Sequence, residues 1–244
     1  MHVLSSARLI QAWEQALGQH PVDRALTLLA AADPQSAREE LAALTIGERD
    51  ARLLAMRESL FGSALESYAE CPQCGAQLEF ALDAGDLRLP AGMNPSSASG
   101  ELVAGDIRLK FRPPDSNDLA AVMKCADVAT ARRLLSERCV MEAERSGVKV
   151  PPAGLPEFVV AKLATSLAAA DTRADNVVAL SCATCGHRWE LIVDIAAFLW
   201  AEIHALAKRL LREVHALAWA YGWREDDILA MSAARRRFYL ELVG

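Results

Sequence analysis

The apolar positions of the first sixty residues recur at helical spacing. Trp13, Ala16 and Leu17 share a face early on, and Leu26, Leu28, Leu29 and Ala30 carry a second helix opened by His20-Pro21-Val22-Asp23. Proline fits a first helical turn, where its missing N–H has no intrahelical partner, and Asp23 stands where the helix dipole favours negative charge. Asp33-Pro34 stops this helix. A third stripe, Leu53, Leu54, Met56, Leu60 and Phe61, follows Thr45-Ile46-Gly47-Glu48, which has capping-box form. Gly62 is expected to bend that helix without ending it.

The period then changes from helical to two. Ile107, Leu109 and Phe111 alternate with Arg108, Lys110 and Arg112, which predicts a half-buried strand with a basic outer face. Gly105-Asp106 supplies the turn of a hairpin over Glu101 to Phe111. The basic face reads as a solvated surface before it reads as an anion-binding strip. A Pro-, Gly- and Ser-rich loop from Leu89 to Gly100 precedes the hairpin. After it, Asp115 to Arg145 is expected as one or two helices, 148–156 as a Pro-rich connector, and Pro156 to Ala170 as another helix. Val177-Val178-Ala179-Leu180 reads as a strand.

In the last fifty residues Glu202-Ile203-His204-Ala205-Leu206-Ala207 is echoed by Glu213-Val214-His215-Ala216-Leu217-Ala218. The offset is close to three helical turns, so both copies fall on nearly one face. His204 and His215 would stand about 16 Å apart along the axis, too far to share a metal ion. They are expected as partly buried or interfacial histidines. A short helix follows Tyr221-Gly222-Trp223, and Ser232 can cap a last one carrying Arg235-Arg236-Arg237-Phe238-Tyr239-Leu240. The pattern as a whole predicts a mainly α protein with a small β element. Its organisation is an N-terminal helical region (1–70), a β element with a long helical and hairpin insertion (71–194), and a C-terminal helical region (195–244).

Chemistry enters with the cysteines. Cys71-Pro72-Gln73-Cys74-Gly75 and Cys182-Ala183-Thr184-Cys185-Gly186 each run into a strand-like segment, and the glutamates Glu79 and Glu190 and the aspartates Asp83 and Asp194 also coincide. A Cys-x-x-Cys-Gly turn before a strand is a zinc knuckle, and two knuckles supply the four thiolates of a tetrahedral site. The glycine permits the positive φ that turns backbone amides toward the sulfurs. Cys71, Cys74, Cys182 and Cys185 are therefore the candidate ligands of Zn2+, with iron in a rubredoxin-like site as the other metal such ligands hold. A filled four-thiolate site leaves no open position for substrate, which argues structure rather than catalysis. The expected result is a zinc-ribbon-like clasp joining the first and last thirds of the chain. A thioredoxin-like pair would place its first cysteine at the opening of a helix, whereas each pair here leads into a strand. Cys125 and Cys139 fall in helical pattern and read as small buried hydrophobes.

Composition narrows the classes further. A net charge of −6 with 52% hydrophobic residues describes an acidic globular protein and weighs against wholesale nucleic-acid binding. The N-terminal residues lack a charged start followed by a sustained apolar core, and no apolar run is long enough to span a bilayer. A cytoplasmic location and a reducing compartment are the expectation. There is no phosphate-cradling Gly-rich loop, no His-Glu-x-x-His helix and no plausible nucleophile constellation.

His20-Pro21-Val22-Asp23-Arg24-Ala25-Leu26, both knuckles, and the stretch from Glu213-Val214-His215 through Tyr221-Gly222-Trp223 to Arg236-Arg237-Phe238-Tyr239-Leu240 resemble the T4-like phage baseplate hub assembly proteins. Bacterial members of that group occur in prophages and contractile injection systems. The resemblance runs nearly end to end and implies a non-enzymatic role in building a contractile tail, with baseplate or hub proteins as partners. The segment from Trp219 to Gly244 is the expected contact and is expected to bind a partner rather than complete the core. Its anchors are Trp219, Trp223, Arg235, Arg236, Arg237 and Tyr239. Two rival classes stand beside this one: a zinc-ribbon nucleic-acid adaptor using Arg108, Lys110, Arg112 and Arg235 to Arg237, and a thiol-disulfide oxidoreductase.

Overall fold

The computed structural model describes residues 4–85, 87 and 99–243. The expected loop over 89–100 falls mostly outside them. Four helices come first: α1 (Ser6–Ala16), α2 (Pro21–Ala32), the short α3 (Arg38–Ala42) and α4 (Ile46–Phe61). The His20 side chain accepts the Val22 N–H at the start of α2, and Thr45 Oγ1 accepts the Glu48 N–H at the start of α4. Glu48 does not return the bond that would complete a capping box. Its carboxylate is taken by Arg52 and Arg173. Gly62 ends α4 instead of bending it: its φ of +87° leaves the helical region and launches a strand.

That strand, β1 (Ala64–Glu70), pairs with β2 (Gln77–Asp83) in a two-stranded antiparallel hairpin. A second such hairpin, β7 (Val177–Ser181) with β8 (Arg188–Ile192), lies far along the chain. Between them sits an inserted unit. Its sheet runs β3 (Gly100–Ala104), β4 (Ile107–Phe111), β5 (Val140–Arg145), β6 (Val148–Lys149), all antiparallel. Two helices, α5 (Ser116–Val122) and α6 (Val128–Cys139), join β4 to β5, so the expected helical stretch to Arg145 ends in a strand. A third helix, α7 (Glu157–Ala170), packs Val159, Val160, Leu163 and Leu167 against Ile107, Leu109 and Phe111.

The larger core is built on α8 (Ile195–Tyr221). Its buried residues Ile195, Leu199, Ile203, Ala207, Leu210, Val214 and Leu217 recur at spacings of three and four, the stripe of a helix packed along one side. They meet Leu9 and Trp13 of α1, Leu26, Leu28 and Leu29 of α2, and Leu53, Leu54 and Met56 of α4 in one cluster. Asp194 caps α8 by accepting the Ala197 N–H at 2.9 Å, and Gly222, at φ +67°, closes it. Then α9 (Glu225–Ala230) and α10 (Ala233–Val243) follow. Ile228 and Leu229 of α9 lie buried in the same cluster, which corrects the expectation that the segment after Trp219 stands outside the core.

The two cores meet at the start of α4. Ile46 N–H donates to Pro114 O at 3.2 Å, Gly47 N–H to Asp171 Oδ2 at 2.8 Å, and Asn117 Nδ2 to Ala42 O at 3.4 Å. These polar ties satisfy helix-terminal groups that would otherwise be buried without partners.

Candidate metal centre

Each hairpin ends in a knuckle. The pairs Glu70↔Gln77 and Ser181↔Arg188 are the last in their ladders, leaving 71–76 and 182–187 as the loops. The two loops repeat one hydrogen-bond pattern. Cys71 N–H donates to Ala76 O at 2.9 Å and Cys182 N–H to His187 O at 2.8 Å; Gly75 N–H donates to Cys71 O and Gly186 N–H to Cys182 O, both at 2.9 Å. Gly75 and Gly186 have φ of +71° and +74°, the left-handed conformation an L side chain resists. The matching glycines of the sequence thus mark matching turns.

The fold brings all four cysteines together. Their sulfurs lie within 4.8 Å of one another, with Cys71 and Cys182 buried and Cys74 and Cys185 exposed. Cys71 Sγ is 3.7 Å from Cys185 Sγ, and Cys74 Sγ is 3.6 Å from Cys182 Sγ. A disulfide would need about 2.05 Å. A tetrahedron with metal–sulfur bonds of about 2.3 Å has edges of about 3.8 Å. The sulfurs therefore stand at metal-ligand spacing, and these two contacts run between knuckles, not within them. The residues present fit a tetrahedral metal.

Electrostatics agree with that geometry. The N–H of Cys185, against burial and with help from the Thr184 N–H and the Cys74 and Cys185 thiols, draws the Cys182 thiol down to about 6. At Cys74 the Ala76 N–H favours the thiolate, but burial and the thiols of Cys185, Cys182 and Cys71 outweigh it and push the group up to about 12. Cys185 is raised too: burial and the Cys182 and Cys71 thiols outweigh the His187 N–H and the Cys74 thiol. One thiolate suppresses the next, and a cation among the sulfurs removes the conflict.

The remaining candidates are dispersed. Cys125 is half-buried, and Cys139 is buried in the smaller core, where burial raises its thiol to about 12. His204 accepts the Trp13 Nε1–H at 2.9 Å, joining α1 to α8, while His215 is exposed. Trp219 is 86% exposed. Trp223 is half-buried, stacked on Tyr221 at 4.4 Å and edge-on to Tyr239 at 4.9 Å. Arg235 lies over the Tyr239 ring, and Arg237 is exposed. Arg236 departs from its expected place among the contact anchors: it is buried, donating Nε–H to Glu213 at 2.9 Å and Nη1–H to Met231 O at 2.6 Å. A helix that docks one side must turn one arginine of three inward.

The basic strand is largely neutralised. Lys110 pairs with Glu142 at 3.1 Å, Arg112 with Asp118 at 2.6 Å, and Arg108 stands opposite Glu144 in the ladder. One functional-looking pair was not visible in the sequence. Arg57, buried between Phe61 and Phe198, donates two hydrogen bonds to Glu202 at 2.9 and 2.8 Å. Only the observation that Glu202 lies in a repeat hinted at it.

The fold and site together define a mainly α protein in which two distant hairpins converge on a four-thiol cluster. Among the described residues no helix is long and apolar enough to cross a membrane. A family model described as T4 bacteriophage base plate protein matches residues 24–200, most of the chain, from α2 through both knuckles into α8; the chain belongs to that family. No curated protein and no solved structure matches it.

Proposed function

We propose that this protein is a non-enzymatic structural or assembly component of the baseplate or hub of a contractile tail, phage or phage-like, held together by a structural zinc ion. The family match over 24–200 carries the baseplate reading. The metal reading rests on four sulfurs at tetrahedral spacing. In this reading Cys71, Cys74, Cys182 and Cys185 fill the coordination shell as a zinc-ribbon-like clasp, and the ion supplies crosslinking rather than catalysis. Helices α1 to α4 and α8 to α10 form the body, β1 together with the 71–194 region carries the clasp and its insertion, and the protein works in the cytoplasm and in the tail particle.

Partner contact falls at the C-terminal end, on Trp219, Trp223, Arg235, Arg237 and Tyr239, with Arg236 holding α10 in place from within. Large rigid aromatics beside arginine are the residue types that dominate interfaces. The neutralised strand weighs against a nucleic-acid adaptor, and sulfur contacts between knuckles weigh against a redox pair.

The test is co-purification with the products of neighbouring tail genes, alongside metal analysis of the purified chain. One zinc per chain and retention of a baseplate component support the reading. Iron in place of zinc would change the metal alone. A metal-free, fully stable protein that captures no tail component overturns both halves.

A further inference from the structure

Every carboxylate of α8 is turned into the body. Glu202 accepts from Arg57, and Glu213 accepts from Arg236 at 2.9 Å and lies 3.8 Å from Arg209. The opposite side of the helix is exposed and carries Lys208, Arg212, His215 and Trp219. Spacings of four, three and four residues set these in one line about 16 Å long. Among the described residues no carboxylate pairs with Lys208 or Arg212. In an acidic protein, this helix presents a basic stripe ending in a tryptophan that is 86% exposed.

The first hairpin presents the reverse. Its outer face holds Glu66, Tyr68 and Glu70 from β1, with Glu79 directly opposite Tyr68, and neither strand contains Lys or Arg. Tyr68 is 81% exposed, and a shallow depression runs beside it over Phe80 and Ala81. Glu66 to Glu70 spans about 13 Å of strand, comparable to the stripe in length and opposite to it in sign. Among the described residues no ion pair joins the two surfaces within one chain. The thiol cluster ties the first hairpin to the second, and the second runs directly into the N-terminus of α8; Lys208 lies about 20 Å further along that helix.

We propose that the α8 stripe of one copy docks on the first-hairpin face of a second copy. Lys208 and Arg212 meet Glu66, Glu70 and Glu79, while Trp219 and Tyr68 supply the apolar contact and an acceptor face for cations. The inference names the partner of Trp219 and so rests on the reading of that residue as an assembly contact. Joining two different surfaces is heterologous, and such contacts propagate into rings or filaments unless two copies close on each other.

Sedimentation of the full chain at low and high salt tests it. The expected mass at low salt exceeds the 26.4 kDa monomer and rises with concentration, and salt lowers it. Lys208→Glu with Arg212→Glu, or Glu66→Lys with Glu79→Lys, should each weaken association by about tenfold or more, and Trp219→Ala likewise. The chain carrying all four charge reversals should regain it. All these sites are exposed, and circular dichroism verifies the fold of each variant. A wild-type chain that stays monomeric, or folded four-fold reversals that fail to regain association, overturns self-docking. If the wild type is monomeric yet Lys208→Glu with Arg212→Glu is lost from tail particles, the stripe meets a different baseplate protein and the assembly reading survives. If particle incorporation is also unchanged, both fall.

Discussion

Gly47 shows how much a single atom can matter. A Cβ there would overlap the Asp171 carboxylate and stand 2.6 Å from Arg173 Cβ, at the point where the two cores are tied. Gly47→Ala is expected to destabilise the protein by about 1–3 kcal/mol, the range for overpacking a close contact; urea titration measures it. Asp118 is a second such residue. Its buried carboxylate accepts from Arg112 at 2.6 Å, Arg138 at 2.9 Å and the Asp115 N–H at 3.1 Å. Burial opposes ionisation, but these donors outweigh it and hold the group below the usual carboxylate range. A carboxyl lowered in the folded state contributes stability above its unfolded value, about 3.9. That contribution is lost as pH falls through the folded value. Asp118→Asn should therefore cost about 2–3 kcal/mol at neutral pH and flatten the acid limb of a stability-versus-pH curve; an unchanged acid limb would refute the assignment. Neither role could be read from the sequence, because each depends on partners brought in by folding. The cysteines could be read, since a knuckle's ligand spacing and glycine are local.

At the scale of elements, local signals and long-range ones separated cleanly. Pro21 in the first turn of α2, the Thr45 cap without the returning Glu48 bond, the Gly105-Asp106 hairpin and the strand before Cys182 all depend on neighbours within a few residues, and these formed. The strand β1 did not announce itself, because Ala64-Leu65-Glu66-Ser67 continues an apolar stripe and only the φ of Gly62 breaks it. Likewise β5 follows α6 without a turn signal, and its pairing with β4 decides its state. The C-terminal end gives the sharpest contrast. Its aromatics and arginines suggested a free-standing contact, yet Ile228 and Leu229 are core residues and Arg236 is locked to Glu213. Removing 224–244 should accordingly unfold or severely weaken the protein, since each deleted core side chain costs about 2–5 kcal/mol. Thermal melting of the truncated chain checks this. Full retention of the wild-type midpoint would show that α9 and α10 contribute nothing to the core.

For the molecule as a whole, the thiol cluster shares with the larger core the work of tying the ends of the chain together. Sequence alone suggested that it stood by itself. The larger core already joins residues 4–84 to 195–229, and Arg57 with Glu202 and Trp13 with His204 reinforce the union. Chelation, or serine at any of Cys71, Cys74, Cys182 or Cys185, is thus expected to lower the melting midpoint and loosen both hairpins while the helical signal persists below that midpoint. Far-ultraviolet dichroism with hydrogen exchange distinguishes the cases: protection should fall in β1, β2, β7 and β8 before it falls in α8. Complete loss of helix on chelation would instead make the ion essential to the larger core.

The separation of the two knuckles also sets an order of events at birth. Cys74 and Cys182 are 108 residues apart, so at about 5–20 residues per second a ribosome needs about 5–20 s to deliver the second pair after the first. During that interval the early hairpin carries two of the four thiols and half a coordination sphere, while the apolar residues of the inserted unit's own cluster up to Leu167 leave the ribosome ahead of the second pair. The helix that completes the larger core leaves the ribosome just after the last cysteine. Capture of the ion would then coincide with the moment the chain becomes able to close, and a polypeptide cut short in the insertion could never hold it.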